Sequence, residues 1–109
     1  MHPHQQHLRA EQECRQLLLQ YPNAKFAPAT QQRLREIQEV LAESEFSAGD
    51  FYHHKGSYPA AASRFEYVTS QYPLYSGSDE ALWQLADAYK KMGDRFENQE
   101  ASALSKIVK

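Results

Sequence analysis

The chain has 109 residues, with 12 Lys and Arg against 14 Asp and Glu, enough for a single domain with a modest core. A near-even charge with scattered basic residues gives no electrostatic reason to expect a nucleic acid or an anionic membrane as partner. The single cysteine, Cys14, cannot form an internal disulfide, and no apolar run approaches the ~20 residues that span a bilayer.

Residues 1–7, with His2, Pro3, His4 and His7, read as a flexible N-terminal tail, leaving 8–109 as the folded domain. The tail lacks the apolar centre of a signal peptide. Cys14, preceded by Glu11, Gln12 and Glu13, lacks the setting of a lipid-attachment site. From Leu8 to Gln20 the spacing of Ala10, Cys14, Leu17 and Leu18 predicts a helix, which Tyr21-Pro22 ends. Pro28 suits the first turn of a second helix running to about Lys55, with Leu34, Ile37, Leu41, Ala48 and Tyr52 on one stripe. At ~1.5 Å per residue, 28 residues make a helix roughly 42 Å long.

Gly56-Ser57 then turns the chain, with Ser57 as the expected cap, and Tyr58 to Gln71 forms a return helix closed by Tyr72-Pro73. Ser78 is the expected cap of a fourth helix, whose first turn carries Asp79 and Glu80 as the helix dipole favours. That helix is expected to stop at Gly93. A fifth, from about Arg95, would then present Leu104 and Ile107. Nothing in the chain alternates with the period of a strand.

The helices repeat. Gly49, Tyr52 and Gly56 recur as Ala86, Tyr89 and Gly93, each 37 positions on. A small residue, an aromatic three later and a glycine four after that mark the first helix of a tetratricopeptide hairpin. Ala61, Phe65, Val68 and Pro73 keep the spacing of its second helix, and so do Ala10, Cys14, Leu17 and Pro22. The fold class is therefore all-α, a fragment of stacked tetratricopeptide-like hairpins. Gly49, Tyr52, Gly56, Ala61, Phe65, Val68, Ala86, Tyr89 and Gly93 are its packing residues. Half-repeats at both ends are expected if the chain is a piece of a longer protein or a frame begun at an internal Met.

Such repeats build binding surfaces. Phe46, Asp50, His53 and His54 from one first helix, and Trp83, Asp87, Lys90 and Lys91 from the next, should line the concave side. Two aromatics among charges of both signs suit a protein partner. Core packing of both aromatics, with the charges forming a solvated helix face, is the alternative. A clamp for a C-terminal carboxylate is excluded, because Asp50 and Asp87 stand where such clamps carry Asn. Asp50 and His54, at i and i+4, lack an evident third metal ligand. His7 lies ~10.5 Å of helical rise from Cys14, too far to act as its base. No phosphate loop, nucleophile elbow or zinc signature is present, so no catalytic residue, metal or cofactor is assigned.

The stretch Leu41 to Pro73, L-A-E-S-E-F-S-A-G-D-F-Y-H-H-K-G-S-Y-P-A-A-A-S-R-F-E-Y-V-T-S-Q-Y-P, resembles the outer-membrane assembly lipoprotein family called BamD or ComL. Tyr21 to Val40, where a Tyr-Pro turn leads into a long Arg/Gln/Glu-rich helix, is similar to it as well. The resemblance covers about residues 8–109, but only a middle part of the family's length. It implies a non-catalytic scaffold on the periplasmic side of the outer membrane, docked on the barrel-forming assembly subunit and other assembly lipoproteins. Membrane attachment in that family is through a lipid anchor, for which no attachment site is expected among these residues. Two alternatives are a periplasmic adaptor of the Tol and cell-division type and, from another class, a small metal-dependent enzyme whose histidines converge.

Overall fold

The computed structural model describes residues 3–108, and the side chains of those up to residue 100. Four helices follow one another, α1 (Pro3–Gln20), α2 (Ala27–His54), α3 (Tyr58–Gln71) and α4 (Ser78–Val108), with no strand among the described residues. Each helix packs against the next. The stack is elongated, 75 × 27 × 20 Å.

α1 begins earlier than its sequence signals. Residues 3–7, expected to be a flexible tail, are helical. Pro3 sits at the start, where its fixed φ suits a helix and its missing N–H costs nothing. α1 packs on the first half of α2 through Cys14, Ala27 and Thr30, all buried. Glu11 is buried there too, and its carboxylate accepts from Arg15 at 3.4 Å and from Gln38 of α2 at 3.2 Å. The bond across to α2 anchors the two helices in register.

α2 is one unbroken helix of 28 residues, with Pro28 in its first turn. It ends in a Schellman turn. Gly56 N–H donates to the His53 carbonyl (3.0 Å), and Ser57 N–H donates to the Tyr52 carbonyl (2.9 Å). Gly56 carries the φ of +78° that this closure requires. Ser57 occupies the cap of α3 with its backbone alone, since its side chain makes no cap bond. The cap of α4 falls one residue before Ser78, where the Gly77 carbonyl accepts from Ala81 at 2.9 Å.

The core lies where α2, α3, the turn after α3 and the start of α4 meet. Leu41, Ala42, Ala61, Phe65, Val68, Tyr72, Tyr75 and Ala81 are buried together there. α2 and α3 touch most closely at Gly49, where an added Cβ would lie 2.7 Å from the Phe65 ring. Tyr52 and Phe46 flank this crossing, and the Phe46 ring sits 5.6 Å from that of Phe65 and 6.1 Å from that of Tyr75. The turn after α3 is tied to α2 by carboxylates one helical turn apart. Glu43 accepts from the Tyr75 hydroxyl, and Glu39 from the Ser76 backbone and hydroxyl. Arg64 adds an ion pair to Glu45 at 2.9 Å.

α4 departs from the expected hairpin. It runs through Gly93 without a turn, for 31 residues. Gly93 lacks a positive φ, and the space where its Cβ would sit is open. The expected counterparts of Phe65 and Val68, Leu104 and Ile107, have side chains outside the described residues. No helix packs on the outer side of α4 among the described residues. Ala86, Tyr89 and Gly93, read from the repeat as packing residues, are accordingly exposed.

Candidate protein-binding surface

The last turn of α2 and the middle of α4 lie side by side, and polar side chains join them. Four residues separate Asp50 from His54, and four separate Asp87 from Lys91, so each pair shares a helix face. His53 Nε2 donates to the Asp87 carboxylate at 2.7 Å, both side chains being largely covered. Lys91 Nζ stands 3.7 Å from the same carboxylate. One turn earlier, Gln84 Nε2 donates to Asp50 Oδ1 at 3.4 Å. His54 Nδ1 donates to the Asp50 carbonyl at 2.8 Å and stays exposed.

The hydrogen bond from His53 holds the Asp87 carboxyl below its ordinary range. Partial burial opposes that shift, and the positive charge of Lys91 adds to it. His53 lies in the final turn of α2. Tyr58, the first residue of α3, stacks edge-on against the His53 ring at 5.4 Å. Arg95 lies 4.8 Å and Lys91 5.8 Å from the centre of the Tyr58 ring. Lys90, far out in solvent, pairs with Asp94 at 3.1 Å, which raises its pKa.

Of the eight residues read as a binding face, Asp50, His53, His54, Asp87 and Lys91 thus share one cluster. Trp83 lies one turn before Asp87 on α4 and is 65% exposed. Phe46 does not join them. It is turned into the core, because Tyr75 from the turn after α3 covers it. Trp83 is its equivalent one repeat on, and no such turn covers Trp83 among the described residues. Gln84 and Tyr58 belong to the cluster although the repeat pattern did not single them out. Tyr58 stands directly after the Gly56-Ser57 turn, next to the end of the preceding helix, and that was its only signal. Among the described residues no three His, Cys, Asp or Glu side chains converge as a metal site.

Stacked, antiparallel helices with a glycine-closed turn after α2 and a glycine where α2 crosses α3 define a tetratricopeptide-like helical scaffold. The chain belongs to the YfiO family of outer membrane lipoproteins, whose match extends over residues 2–104. It is similar to the outer membrane protein assembly factor BamD of Neisseria meningitidis serogroup A, with 31% identity over 84 residues, 77% of this chain and 32% of that one. The factor of the same name from Vibrio cholerae is 29% identical over 72% of this chain and 33% of its own length. That of Rickettsia prowazekii is 32% identical over 71% and 31%. The chain therefore spans about a third of the length of these curated relatives. Among the described residues, no helix is long and apolar enough to cross a membrane.

Proposed function

We propose that the chain is a non-catalytic protein-binding scaffold of outer-membrane β-barrel protein assembly, working on the periplasmic side of the outer membrane. Family membership and the relatives' shared description as outer membrane protein assembly factors support this reading. The observation that carries it to a surface is the exposure of Trp83 beside the cluster of His53, Asp87 and Lys91. A large aromatic left in solvent and rimmed by charge is the usual anchor of a protein interface. The barrel-forming assembly subunit is the partner proposed for it, with other assembly lipoproteins beside it.

The test is a binding titration of the chain against the periplasmic domains of the barrel-forming subunit, with Tol-system proteins as comparison. Trp83→Ala is expected to weaken the first by about 2 kcal/mol, roughly thirtyfold, while leaving the melting temperature unchanged. Equal binding by parent and variant, or a preference for Tol proteins, overturns the proposal.

A further inference from the structure

A trough crosses the first half of α2, well away from the cluster just described. Fifteen residues separate Arg35 from Asp50, or ~22 Å of helical rise. Two adjoining hollows, of about 540 and about 520 Å³, share Arg35, Gln38 and Leu74 as walls. Leu18 of α1 closes one end, and the buried rings of Tyr72 and Tyr75 floor the other. The trough exists because α2 outruns α3, so that the turn after α3 meets the side of α2 rather than its end.

Its chemistry is unbalanced. Arg35 makes no ion pair or hydrogen bond among the described residues. Glu39, one turn on and in the natural position to pair with it, is engaged instead by Ser76. Gln31 and Gln71, on opposite walls, also lack partners among the described residues. Leu74 projects beside them, 75% exposed. The trough thus offers an unpaired guanidinium, free carboxamides that both donate and accept, and a leucine at its rim.

We propose that this trough docks an extended segment of another protein, one that sets a carboxylate side chain against Arg35 and an apolar side chain against Leu74 and Leu18. A guanidinium binds a carboxylate through two parallel hydrogen bonds, a geometry that lysine lacks. Carboxamides suit the unpaired N–H and C=O groups of an extended backbone, whereas a helix has already spent its own.

A random twelve-residue peptide library is displayed on phage, selected on the full chain and counter-selected on Arg35→Gln. The enriched peptide is then measured by fluorescence anisotropy. Enriched sequences are expected to carry Asp or Glu beside Leu, Ile, Val or Phe. Arg35→Gln, or replacing the peptide's acid by its amide, is expected to weaken binding at least tenfold, and combining the two to add little. Leu74→Ser should weaken binding without touching the charge preference. Both side chains are exposed, and matched melting curves establish that the variants fold. Trp83→Ala should leave peptide binding intact, which separates this proposal from the assembly reading. No enrichment over background, enriched peptides without an acid, indifference to Arg35→Gln and Leu74→Ser, or a peptide that turns helical on binding would each overturn it.

Discussion

At Gly49 a single hydrogen atom stands where any other residue would place a carbon 2.7 Å from the Phe65 ring. Phe65 is fully buried, so the ring has nowhere to retreat. Gly49→Leu is therefore expected to destabilise the chain by about 3 kcal/mol, lowering the melting temperature on the order of 12 °C. Circular dichroism melts that match the parent's would mean the helices cross elsewhere. This position was legible in the sequence, since a glycine inside a helical stripe has a cost that only close packing offsets. The pairing of His53 with Asp87 was not. It joins residues 34 apart and depends on how α2 and α4 are rotated about their own axes, which repeat spacing does not fix. Its thermodynamic sign is nonetheless definite. Asp87 has a lowered carboxyl pKa in the fold, so its contribution is present above the unfolded value of about 3.9 and is lost as pH falls through the folded value. The gap in melting temperature between parent and Asp87→Asn should accordingly be open at pH 5 and narrow towards pH 2. A gap that stays constant would show that the carboxylate's charge has no part in it.

Among the elements, two glycines of one sequence pattern meet opposite fates. Gly56 ends α2 with φ +78°, whereas Gly93 lies inside α4 with open space at its missing side chain. The pattern of a small residue, an aromatic and a glycine predicts a turn at both. The turn at Gly56 is enforced by α3, whose Ala61, Phe65 and Val68 bury against the helix it leaves. At Gly93 the ion pair from Lys90 to Asp94 bridges the glycine one turn apart, and the helix carries on. Alanine at each position gives opposite signs. Gly56→Ala is expected to cost about 1 kcal/mol or more, because a β-carbon strains the left-handed turn. Gly93→Ala is expected to gain up to about 1 kcal/mol and to raise helical ellipticity. A destabilised Gly93→Ala would restore the turn that the spacing suggests. α1 teaches the converse lesson. Pro3 and its neighbouring histidines look like a tail, yet proline is as compatible with a first helical turn as with a loop, and only packing decides between them.

For the molecule as a whole, the order, lengths and pairing of α2 and α3 could be read from spacing alone, because the same stripe that makes them amphipathic also fixes their crossing. The trough could not, since it arises where elements meet out of register; of the α2–α4 cluster, the sequence marked five of the residues but not how they pair. In a stack of this kind each helix leans only on its neighbours, so stability should grade along it. Amide hydrogen exchange is expected to be slowest around Leu41, Phe65 and Val68, and fastest beyond Gly93 and before Leu8. Uniform protection from end to end would mean that the stack unfolds as one unit.

α2 is the return partner of α1 along its first half and the outgoing partner of α3 along its second. No hinge lies between those two roles. A pull on α1 must therefore travel along a continuous rod to the far hairpin instead of being absorbed by a flexible joint. Whatever seizes one end of this molecule also sets the angle at which the other is presented.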